Sequence, residues 1–269
     1  MNDSLHWYDV SGKPAHTQPT KKGAKNATRA TNIKDAREQK LFPSVSSILK
    51  VLSNPALDRW KMGKVAEACF KQPPIADEKM DEYVHAVLNK AFDEVNDAAD
   101  LGTQIHSNIE QILSSKPIEA SNATALQCAM SASDKVNELG LVIQNTELTT
   151  VCGKHGFAGT TDLVVTRVKD GQMQYGIVDF KSTKTKEDEP IIPKQGHAAQ
   201  IAAYLSSHWL GGGVPLEFHF GMNIYVSTTE AGRIDVVEYD HNTLKNELDM
   251  FLHACAIWRH RYGYDPRTT

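Results

Sequence analysis

Residues 157–181 read FAGTTDLVVTRVKDGQMQYGIVDFK, two apolar runs joined by Asp170-Gly171, and this stretch decides the architecture. An Asp-Gly pair between β-branched runs is turn chemistry, because such turns need residues that accept positive φ. If GIVDFK (176–181) is a strand, its alternation sets Ile177, Asp179 and Lys181 on one face and Val178 and Phe180 on the other. The expectation is that one face carries chemistry while the other packs.

Outward from this pair, the two-residue period predicts strands over about 142–151, 157–168 and 174–181, a three-stranded meander with Gly153 as the other turn signal. A helix follows at 195–209, ending in Gly211-Gly212-Gly213, then strands near 217–227 and 233–239 and a terminal helix from Asn242 to Tyr262. Upstream, a helix over 122–139 stops at Gly140, a left-handed cap. Another helical region runs from Asp77 to Leu113, with a break expected around Asp97–Asp100. Ser44 caps a short helix through Leu52, and Asn54-Pro55 starts a helix that runs to about Phe70 and stops at Lys71-Gln72-Pro73-Pro74. Residues 6–12 read as a short strand and turn, and the polar segment after them as a long loop or arm. No internal repeat interrupts this order.

A chain of 269 residues suits one large domain, or a catalytic domain with a helical elaboration. Its MNDSLHWYDV start is no signal peptide, and no apolar run approaches the roughly 18–20 residues of a membrane span. A cytoplasmic setting away from membranes is therefore expected. Cys69, Cys128, Cys152 and Cys255 show no C-x-x-C spacing, which argues for reduced thiols. The net charge of −4 argues against a protein that coats nucleic acid indiscriminately. Charge is uneven along the chain: residues 21–37 hold six Lys or Arg against one Asp, which suits either a phosphate-following arm or a solvated one.

Asp179 and Lys181, with Asp162 from the neighbouring strand, are the residue types that can hold Mg²⁺ or Mn²⁺ while leaving an ammonium near an attacked phosphorus. A solvated surface pair is the plain alternative for D-x-K alone. In LGTQIHSNIEQIL (101–113), Leu101, Ile105, Ile109, Ile112 and Leu113 follow helical spacing; His106 falls at the edge of the apolar stripe and Glu110 one turn on.

The order helix, three strands, helix, strand, with GTQIH at 102–106, GTTD at 159–162, DFK at 179–181 and QIAAY at 200–204, resembles the PD-(D/E)XK nuclease superfamily. It is most similar to the RecB-like exonuclease branch, which includes phage recombination and mitochondrial genome-maintenance exonucleases. The resemblance implies an α/β fold of mixed α+β character, with a restriction-endonuclease-like core, a central mixed sheet flanked by helices, and an N-terminal helical elaboration. It implies His106, Asp162, Asp179 and the Phe180 carbonyl as metal ligands, and Asp162, Asp179, Lys181, Gln200 and Tyr204 as catalytic residues. Two Mg²⁺ or Mn²⁺ ions are implied. Some such nucleases carry an iron–sulfur cluster on cysteines gathered near the C-terminus; here only Cys255 lies near that end, so none is expected.

PSVSSILKVLSNPALDRWK (43–61) resembles an entry segment of phage and mitochondrial members. Ser44, Ser46 and Ser47 could donate to phosphates, with Ser44 reading more readily as a helix cap. Trp60 could stack on a base, although beside Leu57 its position favours a buried stripe. Glu110, Glu147, Ser182 and Thr183 complete the candidate substrate contacts, Glu147 reading more readily as an exposed strand carboxylate. Thr161 replaces the family's proline before its first aspartate.

The expected organisation is an N-terminal strand and basic arm over 1–42, a helical wall or arch over 43–139, and a nuclease core over 140–269 to which the helical region contributes His106. The expected function is metal-dependent exonucleolytic hydrolysis of DNA at single-stranded or frayed ends, in recombination, repair or degradation. DNA is the expected partner, with a recombination or single-strand-binding protein as a further one, and a phage-encoded chain acting in host cytoplasm fits the resemblance. A flap-type endonuclease and a non-catalytic end-binding module stay open as alternatives.

Overall fold

The computed structural model describes residues 5–20, 27–52, 54–118, 122–208 and 219–267. The segment expected to be a loop or arm contains regular structure. After β1 (Trp7–Tyr8), β2 (Thr17–Pro19) pairs antiparallel with β3 (Thr28–Ala30), and α1 (Ile33–Gln39) follows. The cause is local hydrogen bonding that leaves no hydrophobic period. The Asn32 side chain accepts from the Lys34 and Asp35 amides, while Asp35 accepts from the Asn32 amide, closing a capping box. The hydrogen bonds from Arg29 to Asp35 (2.6 and 2.8 Å) and from the Asn32 amide hold that carboxyl down to about 2. Lys21, Lys22 and Lys25 of the basic stretch lie outside the described residues.

β4 (Phe42–Pro43) pairs with β1, and α2 (Val45–Leu49) starts at Ser44, whose hydroxyl accepts the Ser47 amide. α3 (Pro55–Lys71) begins as expected, with Asn54 accepting from Leu57 and Pro55 in the first turn. α4 (Met80–Leu113) runs unbroken through Asp97–Asp100, against expectation. Those four residues are exposed and none is glycine or proline, so their acidic charges stay solvated and nothing interrupts the backbone ladder. α5 (Ala123–Glu138) ends before Gly140, which takes the left-handed conformation (φ 63°).

The five-stranded sheet follows the chain order β5 (Val142–Cys152), β6 (Phe157–Lys169), β7 (Gln172–Thr183), β8 (His219–Ser227) and β9 (Ile234–Tyr239). β5 to β7 form the expected antiparallel meander, turning at Asp170-Gly171 with both φ positive. β8 is parallel to β7, with α6 (His197–His208) between them in sequence, and β9 is antiparallel to β8. α7 (His241–Tyr262) is capped by Asp240 at its start and by left-handed Gly263 at its end. Gly211, Gly212 and Gly213 and the expected start of β8 at 217 lie outside the described residues.

Helices cover both faces of this mixed sheet. Val164 and Ile177 pack with residues of α2, α6 and α7; Leu163, Val165, Val178 and Phe180 pack with residues of α4 and α5. β7 is thus buried on both faces, and the expectation of one chemical and one packing face is corrected: the candidate residues Asp179 and Lys181 lie at its C-terminal end, on either side of packed Phe180. No helix among the described residues is long and apolar enough to cross a membrane.

Candidate active site

β6 and β7 are paired from Lys169↔Gln172 to Leu163↔Val178, where their register ends. β6 stays paired with β5 to Phe157, and β7 with β8 to Thr183. The two central strands therefore part at Asp162 and Asp179. Parting strands leave backbone donors without ladder partners. Asp162 answers one of them, its Oδ2 accepting the Phe180 amide at 2.7 Å. Thr161 beside it is buried, with its hydroxyl unpartnered.

Asp179 is 3% exposed, and its Oδ2 stands 2.7 Å from the Lys181 ammonium. Burial, with the charge of Asp162, raises its pKa against the opposing pull of Lys181 and His106. Lys181 donates to Gln200 Oε1 at 3.0 Å, and Gln200 Nε2 donates to the Tyr204 hydroxyl at 3.1 Å. The i, i+4 spacing on α6 stacks Gln200 and Tyr204 along one helix face. Gly159 lets that face approach, since a Cβ there would sit 2.6 Å from the Tyr204 ring. Burial pushes the Tyr204 phenol up, which keeps it a neutral support.

α4 supplies the third side. Gly102 allows the helix onto β7, because a Cβ there would lie 2.6 Å from Ser182 Oγ. One turn on, His106 Nδ1 stands 3.5 Å from Asp162 Oδ2, and the ring meets Phe180 edge to face at 6.3 Å. Burial opposes an imidazolium here, but the hydrogen bond and charge of Asp162, with Asp179, hold His106 above its ordinary value.

His106, Glu110, Glu147 and Asp162 line one crevice of about 10 Å³, floored by Ile109, Leu163 and Phe180. Glu147 is exposed as a residue, as its strand position suggested, yet its carboxyl reaches this crevice. Partial desolvation and the charges of Asp162 and Glu110 push it up to about 7. Its φ of 47° is left-handed, a conformation that non-glycine residues rarely take inside a strand. The pairs Thr146↔Leu163 and Leu148↔Thr161 bracket it opposite Asp162. Lys116 covers the outer side of Glu110 at 2.6 Å.

Among the described residues, no three His, Cys, Asp or Glu side chains form a ready-made metal-holding group. The donor chemistry nevertheless suits a hard divalent cation. Carboxylates crowd together closely enough that Asp162 and Glu110 raise the pKa of Glu147, and the crevice between them has about the volume of one water-sized sphere.

Two larger cavities flank the strand end. One, of about 580 Å³, is lined by Ser46, Lys50, Lys61, His197, Gln200 and Arg261 among others; the second, of about 340 Å³, by Trp60, Lys64, Ser182, Thr183, Lys184 and Lys194 among others. Ser46 is exposed to the first. Ser44 is 4% exposed, accepts the Ser47 amide and donates to the Ser47 hydroxyl, the geometry of the helix cap expected of it. Trp60 is 44% exposed, which corrects the buried-stripe reading: α3 buries only Ala68, so Trp60 and Leu57 have no core to enter. Sequence reasoning missed the lysines of these cavities and Asn223, whose side chain meets Asp179. The lysines come from distant segments; for Asn223 the available signal was a lone amide inside the apolar run HFGMNIYVS.

Comparison with protein-family models and with curated proteins finds no match. A solved structure from Eubacterium rectale named "Putative exonuclease" is similar to this chain at 15% sequence identity and a TM-score of 0.35, over 70% of each chain. Similarity that low carries no weight for fold or activity.

Proposed function

We propose that this chain is a Mg²⁺- or Mn²⁺-dependent deoxyribonuclease of exonuclease type, acting on single-stranded or frayed DNA ends. The observation that carries this reading is the strand fork: Asp162, Asp179 and Lys181 gather where β6 and β7 part, with His106 and Gln200 against them. A surface pair needs no such surroundings.

His106, Asp162 and Asp179 are the side chains that would hold the cation, with Glu110 and Glu147 at the rim. A divalent ion bound there would supply positive charge to acidify a water and offset charge on the leaving oxygen. Lys181 contributes a preorganised ammonium for the charge developing on the phosphoryl oxygens. Gln200, steadied by Tyr204, keeps that ammonium from collapsing wholly onto Asp179. The basic cavities on either side suit phosphates of a chain that extends past the fork, and exposed Trp60 suits a base.

The test is purified protein with 5′- or 3′-labelled DNA in Mn²⁺, beside EDTA and Asp179→Ala controls. Label release that stops in EDTA and in the variant is the expected result. Equal persistence of all substrates overturns the reading, and cleavage of covalently closed single-stranded circles replaces the exonuclease with an endonuclease.

A further inference from the structure

Behind Asp179 the sheet holds a polar chain that the proposed chemistry leaves unused. Asn223 lies on β8 directly beside Asp179 in the parallel register and is 0% exposed. All nine residues of β8 are buried, so an amide at this place is conspicuous. Every polar group of the side chain is engaged. Its Nδ2 donates to Asp179 Oδ2 at 2.9 Å and to the Asp179 carbonyl at 3.2 Å, and its Oδ1 accepts from the Tyr239 hydroxyl at 2.8 Å. Tyr239 comes from β9, two strands away from β7.

Buried amides are tolerated where each hydrogen bond is satisfied and the network then admits one arrangement. Here the arrangement terminates on a carboxylate of the proposed site. Lys181 and Asn223 both meet the carboxylate at Oδ2. A carboxylate held by one oxygen from inside keeps a single rotamer and offers its other oxygen outward.

We propose that Asn223, locked by Tyr239, is a positioning residue that fixes the Asp179 carboxylate through Oδ2 and leaves Oδ1 for the reacting centre. This inference rests on the nuclease reading of the same site. It predicts a division of labour: Tyr204 and Gln200 hold Lys181 from α6, while Tyr239 and Asn223 hold Asp179 from the sheet.

Asn223→Leu removes the amide at similar volume, and Tyr239→Phe removes only the hydroxyl that orients it. Melting curves first establish that both variants are folded. The expected result is kcat lowered about 100-fold in Asn223→Leu and about 5–10-fold in Tyr239→Phe, with KM for DNA within about twofold of wild type. Mn²⁺ affinity, read by the paramagnetic resonance of free Mn²⁺ and therefore independent of turnover, falls about 10-fold in Asn223→Leu. Tyr239→Phe adds no further loss in the Asn223→Leu background, because both act through one group.

Wild-type kcat and Mn²⁺ affinity in folded Asn223→Leu overturn the positioning role, as does additive loss in the double variant. If Asn223→Leu does not fold, Tyr239→Phe decides on the same two readouts. A wild type that binds Mn²⁺ but cleaves no DNA overturns the nuclease reading alone, and the Mn²⁺ affinities of the variants then decide Asn223. A wild type that neither binds Mn²⁺ nor cleaves DNA overturns both.

Discussion

The sheet with its covering helices and the α3–α4 pair are built on opposite terms. In the sheet every residue of β8 is buried, and both faces of β7 pack. Of the 17 residues of α3 only Ala68 is buried, and it meets Val87, Ala91 and Phe92 of α4 in a small satellite core. Meanwhile Leu57, Trp60, Met62 and Phe70 remain exposed. The sheet holds charges at fixed separations, whereas α3 spends its side chains on the two cavities beside the fork. Rigidity and reach are assigned to different parts of the chain.

The sharpest way to break this contrast is at the fork. Asp179→Ala or Lys181→Met is expected to lower kcat by about 10³-fold, measured as label release from single-stranded DNA. A loss of less than tenfold would remove the site from the fork. Next comes stability: Ile177→Ala in the sheet should cost about 3 kcal/mol and Phe92→Ala in the satellite core about 1–2 kcal/mol by chemical denaturation. Equal costs would mean that the helical pair is as integral as the sheet.

Trp60→Ala should leave stability within about 0.5 kcal/mol and weaken single-stranded DNA binding by about 1–2 kcal/mol in a fluorescence titration. Destabilisation without a binding change would return Trp60 to a packing role. The smallest effect concerns protons. Glu147 rises from 4.5 to about 7 on folding, so the cation-free native state binds more protons than the unfolded chain between those values. Its contribution to stability therefore falls as pH rises from about 4.5 to about 7. Glu147→Gln should match wild type in unfolding free energy at pH 5 in EDTA and exceed it at pH 8, with a higher melting temperature there, by no more than about 1 kcal/mol given the exposure of the residue. The reverse order of melting temperatures would remove Glu147 from the crevice.

Much of the fold was legible because its signals are local. The Asp170-Gly171 turn, the Asn54-Pro55 helix start, the Gly140 cap and the strand alternation each involve a few adjacent residues. The early β2–β3 ribbon and α1 escaped detection because they rest on backbone pairing and a local capping box among polar residues, without hydrophobic periodicity. The unbroken α4 was missed because exposed Asp97 and Asp100 resemble a break in composition while leaving the backbone intact. In the site, Gln200 and Tyr204 could be paired from their spacing on one helix. Glu147 could not be joined to Asp162 without knowing the register that sets them opposite each other.

The residues with chemical capacity, and the elements that carry them, follow from the order of side chains along the chain, since turns, caps and strand periods act over a few positions. Their convergence does not. It required β6 and β7 to part at Asp162 and Asp179, α4 to approach through Gly102, and a buried amide from β8 to meet Asp179 from behind. Those contacts join residues 18 positions apart for Asp162 and Phe180, 44 for Asp179 and Asn223, and 80 for Gly102 and Ser182. Close packing sets such distances, and no local signal encodes them.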